Sequence, residues 1–106
     1  MTQSPVSEIT LRALEGEPLK DRRIREMVIA TARAIAERQG VMVMDIRTDA
    51  DRITVKLNTG RIESIGFAAE LRRLTTRWYT QKYGVATLWG EAEPEEEDQS
   101  ESWKLR

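Results

Sequence analysis

Residues 41–58, VMVMDIRTDADRITVKLN, restrict the fold more than any other stretch of this 106-residue chain. Ile53, Val55 and Leu57 alternate with Arg52, Thr54, Lys56 and Asn58, the period of a strand with one face in a core and the other in water. Before it, Met42, Met44 and Ile46 alternate with Val41, Val43, Asp45 and Arg47. The turn formers Thr48-Asp49-Ala50-Asp51 lie between, so the pair is predicted to be an antiparallel hairpin. Its first strand is apolar on both faces at Val41–Met44, and Val41 and Val43 therefore call for a cover of their own. Another part of the chain or a second copy of it can supply that cover; the second copy is the expected one, which makes Val41 and Val43 candidate self-association residues.

A helix is predicted from about Leu19 to Gln39, where Ile24, Val28, Thr31 and Ile35 recur at helical spacing. Pro18 suits its entry, Gly40 its end, and Asp21 is placed for an ion pair with Arg25 four residues on. A second helix is expected to start near Ser64 as its N-cap and to stop at Gly84. Ile62 is available for a short strand before it, and Val85–Trp89 for a final strand after it.

Residues 5–15 carry two signals at once. Ser4-Pro5 ahead of VSEITLRALEG suits a capped helix, whereas Ile9, Leu11 and Ala13 alternate like a strand. The strand gives a β-α-β-β-α-β order, the ferredoxin-like arrangement; the helix gives α-α-β-β-α-β. Either way the expected fold is α+β, with two long helices on one face of a small antiparallel sheet. Residues 1–18 would supply the N-terminal strand or short helix, and 19–90 the compact core. Residues 91–106 are too acidic and too poor in apolar groups to fold, and are expected to be a disordered tail.

The formal net charge of −1 hides a division. Residues 20–90 hold eleven Arg and three Lys against eight acids, while 91–106 hold seven acids against Lys104 and Arg106. A basic body with an acidic tail is a statement about partners rather than fold. The chain has no cysteine and no histidine. It thus lacks thiol nucleophiles, the commonest general base and the commonest metal ligand, so neither catalysis nor a metal or other cofactor is expected. Asp45, Asp49 and Asp51 are better explained as turn formers than as a calcium loop, which needs more oxygen ligands, a central glycine and a closing glutamate. The six glycines are scattered and form no phosphate-binding loop. An enzyme would need carboxylates such as Asp45 or Glu63 to meet in a pocket. No apolar run approaches a membrane span, and MTQSPVSEIT lacks signal-peptide character, so a cytoplasmic location is the expectation.

The distinctive chemistry lies in GFAAELRRLTTRWYTQKYG, residues 66–84. On a helical plot Phe67, Leu71, Leu74 and Trp78 fall within a stripe about 60° wide, which predicts that both large rings face the core. Arg72, Tyr79 and Tyr83 then occupy one outer flank, and Arg73 and Arg77 the other. Arginine forks pair bidentately with carboxylate or phosphate, so these five are candidate partner-binding residues, with Arg52 and Lys56 on the polar face of the hairpin. Trp103 and Leu105, set in the acidic tail, are candidate anchors for a partner.

Two functions follow. The first is a non-catalytic interaction or regulatory module that self-associates and binds a protein partner. The second is a nucleic-acid-binding protein using the arginine-bearing helix, with the acidic tail as competitor. Stacking of RNA on the sheet is disfavoured, because RITVKLN has no aromatic residue.

Overall fold

The computed structural model describes residues 5–90. The N-terminal ambiguity resolves as a strand, β1 (Ser7–Arg12), with Ile9 and Leu11 buried on one side. A 3₁₀ turn at Pro18–Lys20 buries Leu19, and the helix α1 follows at Arg22–Gln39. Asp21 does not pair with Arg25 as expected. Its carboxylate accepts the Arg23 backbone N–H at 2.8 Å and caps α1, while the Arg25 guanidinium donates to the Leu19 carbonyl. Gly40, at φ 71°, ends the helix in the left-handed conformation.

β2 (Val43–Asp49) and β3 (Arg52–Leu57) form the predicted hairpin, and β3 lies between β1 and β2 in an all-antiparallel sheet. Ile53, Val55 and Leu57 are fully buried. β2 departs from simple alternation. Its register shifts between Val43, opposite Leu57, and Asp45, opposite Lys56, which leaves Met44 as the extra residue of a bulge. The insertion puts Val41 and Val43 on the same inner side as Ile46, packed against the core, and leaves Met42 and Met44 exposed. Val41 and Val43 are therefore partly covered by their own chain, the first of the two covers open to them.

α2 (Arg61–Tyr83) begins one turn earlier than Ser64, with Gly60 as N-cap. Ser64 lies inside the helix, buried, with its hydroxyl donating to the Arg61 carbonyl at 2.8 Å. Ile62 forms no strand; it sits in the first helical turn. The end at Gly84 is as predicted, with φ 71°. The final strand is reduced to one bridge, Trp89 against Ala13, flanked by Leu14 N–H to Leu88 O at 3.0 Å and Gly90 N–H to Arg12 O at 2.8 Å. The fold is therefore α+β, two helices on a three-stranded antiparallel sheet, with that bridge beside β1.

Both helices bury their inner stripes against the same sheet face: Ile24, Val28, Ala32 and Ile35 from α1, Phe67 and Leu71 from α2. Of the expected stripe, Phe67 and Leu71 are fully buried, while Leu74 and Trp78 are partly buried and pack against the core from its edge. The α2 core face runs through Ser64, Phe67, Leu71 and Thr75, rotated toward two hydroxyl residues, because the fully inserted indole is that of Trp89, at 2 % exposure. Trp89 Nε1–H donates to Thr75 Oγ1 at 2.8 Å, and that hydroxyl donates onward to the Leu71 carbonyl at 2.6 Å. A buried indole and a buried threonine thereby satisfy each other. Trp103 and Leu105 lie outside the described residues.

Candidate binding surface on the second helix

The C-terminal half of α2 carries the predicted partner-binding residues, and the structure sorts them by whether they already have partners. Arg72 is half-buried and its Nη1 donates to the Gly90 carbonyl, tying the chain to the helix just beyond Trp89. Arg73 donates twice to Glu70, at 2.8 and 3.3 Å, and Arg38 of α1 reaches the same carboxylate at 3.0 Å. The hydrogen bond from Arg73, with the charges of Arg73 and Arg38, holds the Glu70 carboxyl below the usual carboxylate range against some desolvation. These two arginines are thus committed within the fold. Arg77 is exposed and makes no ion pair with the described residues.

The aromatic residues converge at the last turn. The Tyr83 ring, 44 % exposed as a residue, packs at 5.0 Å from Tyr79 and edge-on at 6.1 Å from Trp78. Lys82 Nζ lies 5.8 Å from the Trp78 ring centroid, within the range where a cation is drawn to an aromatic face. Lys82 was not singled out from the sequence, although its place four residues after Trp78 was a usable signal. The result is a ledge of three rings with Lys82 beside it, a cation that has no carboxylate partner among the described residues.

Arg52 and Lys56 are not part of this ledge. They project from the opposite, uncovered face of the sheet, since α2 packs on the other. There Thr10 and Thr54 share a hydrogen bond at 3.0 Å, Arg47 is held by Glu8 at 3.4 Å and Asp45 at 3.1 Å, and Arg52 by Asp51 at 3.2 Å. A shallow depression of about 420 Å³ crosses this lattice. Its signs are interleaved and largely compensated, so it presents no concentrated charge. Asp45 is engaged with Arg47 on this face, and Glu63 is exposed on the first turn of α2. Among the described residues no three acidic groups converge on a point where they could hold a metal ion, and no helix is long and apolar enough to cross a membrane.

No family model and no curated protein matches this chain. Solved structures do match. One is the crystal structure of a "putative transposase" from Deinococcus radiodurans R1, with a TM-score of 0.68 over 99 % of this chain and 92 % of that one. The two sequences are 11 % identical, so what they share is the path of the backbone.

Proposed function

We propose that this chain is a non-catalytic binding module that engages nucleic acid through the ledge at the end of α2. The observation that carries this reading is the exposed Tyr83 ring, packed against Tyr79 and Trp78 with the carboxylate-free cation Lys82 beside them. Rings on which bases stack, with cations placed for the phosphates, are the two components of sequence-tolerant single-strand binding. The basic balance of residues 20–90 supports it. So does the shared fold with a protein described as a "putative transposase", since transposition is a reaction of DNA. In this reading the acids of residues 91–106 compete with the nucleic acid for the same cations.

Fluorescence polarisation with single-stranded DNA and RNA oligonucleotides at low salt tests the proposal. The expected result is salt-sensitive binding that weakens about tenfold in Tyr83→Ala and falls further in Tyr83→Ala/Lys82→Ala, while replacing Glu95, Glu96 and Glu97 by Gln strengthens it. No binding by the full chain or by that charge-reduced variant ends the proposal. A protein partner is the second reading, favoured by the exposed Met44 on β2 and Met42 just before it, side chains that adapt well to partner surfaces.

A further inference from the structure

The first half of α2 has an outer face that the monomer does not explain. Ile62 is 82 % and Ile65 52 % exposed, and Gly66 and Ala69 complete a stripe at i, i+3, i+4 and i+7 on the side facing away from the core. Gly66 is the telling member. It lies within a 23-residue helix at ordinary helical φ, and a Cβ placed on it would meet nothing within 4 Å. Nothing inside the chain requires a glycine there, although glycine is a poor helix residue. A glycine with empty space above it, ringed by exposed isoleucine, is suited to the close approach of another helix.

We infer that this stripe docks against the same stripe of a second copy, the two α2 helices running antiparallel. Under that two-fold arrangement Ile62 comes level with Ala69 of the other copy, and the two Ile65 side chains lie beside each other on one flank of the axis while the two Gly66 positions let the backbones approach on the other. The charges agree. In an antiparallel pair like flanks meet, and Glu63 shares its flank with Glu70, seven residues on. Glu70 is held by both Arg38 and Arg73, so that cluster is net positive. Glu63, which has no ion pair among the described residues, therefore comes beside a cationic cluster on the other copy. Arg73 closes the apolar stripe and sets its polar rim. The ledge of Tyr83 lies at the far end of α2, so the pairing neither uses nor requires the nucleic-acid reading. Two isoleucines and two small residues make a weak dimer, with an expected dissociation constant on the order of 100 µM.

The absence of cysteine from the chain makes a direct test available. In the antiparallel register two copies of residue 65 lie about 1.5 Å apart along the axis and two copies of residue 62 about 10 Å apart, whereas a disulfide needs close Cα atoms. Full-length Ile65→Cys is expected to oxidise to a covalent dimer and Ile62→Cys to remain largely monomeric, even though position 62 is the more exposed. Light scattering of the unmodified chain is expected to show a monomer–dimer equilibrium that Ile62→Lys/Ile65→Lys shifts at least tenfold toward monomer. Faster cross-linking through position 62, an unaltered dimer in the lysine variant, or a monomer at about 1 mM each overturns the inference.

Discussion

The two helices make an instructive pair. Both are bounded by a left-handed glycine, both pack on the same sheet face, and Arg38 of one joins Arg73 of the other on Glu70. In α1 every apolar side chain larger than alanine is at least half-buried, and the exposed positions carry charge, alanine or glutamine. α2 reverses that economy. Its core face accepts Ser64 and Thr75, while Ile62 and Ile65 stand in water. α1 is a helix whose pattern the monomer accounts for; α2 carries surplus apolar surface at one end and a cationic aromatic ledge at the other. The difference separates the helix that builds the fold from the one that offers surfaces to partners.

The largest test of this contrast is Phe67→Ala against Ile62→Ala. Losing the buried ring should cost about 3–5 kcal/mol, as large as or larger than the ~2–5 kcal/mol for Ile35→Ala in α1. Ile62→Ala should stay within about 0.5 kcal/mol at low protein concentration. Urea unfolding of the monomer reads all three, and a costly Ile62→Ala would erase the contrast. Next comes Thr75→Val, which leaves the Trp89 indole N–H buried without its acceptor and should cost about 1–3 kcal/mol. A neutral result would mean that the indole finds another partner.

Gly66→Ala is expected to have the opposite sign. With open space for the methyl group, it should stabilise the monomer by about 0.5–1 kcal/mol while weakening self-association, so the ranking of wild type and variant should depend on concentration. The smallest effect belongs to pH. Glu70 has a lowered pKa in the folded state. Its contribution is therefore complete above the ordinary carboxylate value, near 4.3, and is lost as pH falls through the lowered one. Glu26, lowered by its hydrogen bond from Arg22 within α1, behaves alike. In denaturation curves between about pH 5 and 3, Glu70→Gln should flatten the acid slope. Equal slopes in variant and wild type would show that the bridge between helices contributes nothing.

The sequence announced α1, β3, the hairpin turn and both helix-ending glycines, because each rests on local chemistry: a period, a turn former, an αL residue. The bulge left no such mark. Val-Met-Val-Met is apolar in either phase, so only the pairing of Asp45 with Lys56 and of Val43 with Leu57 reveals which side faces in. Trp78 sits at the edge of the core rather than at its centre for a related reason. The stripe through Leu74 and Trp78 was the more apolar one. The chosen face instead includes hydroxyls that the fold satisfies through Arg61, Leu71 and Trp89, and those partners are invisible to periodicity. Of the ledge, Tyr79 and Tyr83 were legible, whereas the commitment of Arg72 to Gly90 depends on where the chain returns.

That return has a kinetic meaning. The β2–β3 hairpin closes locally, but the bridge between Ala13 and Trp89 joins opposite ends of the described chain, so its loop-closure entropy is the greatest of any contact in the sheet. The clasp is thus positioned to assemble last and to open first under stress. Hydrogen exchange should find the Leu14 and Gly90 amides among the least protected of the sheet, and each such opening would briefly release the Arg72 guanidinium to solvent.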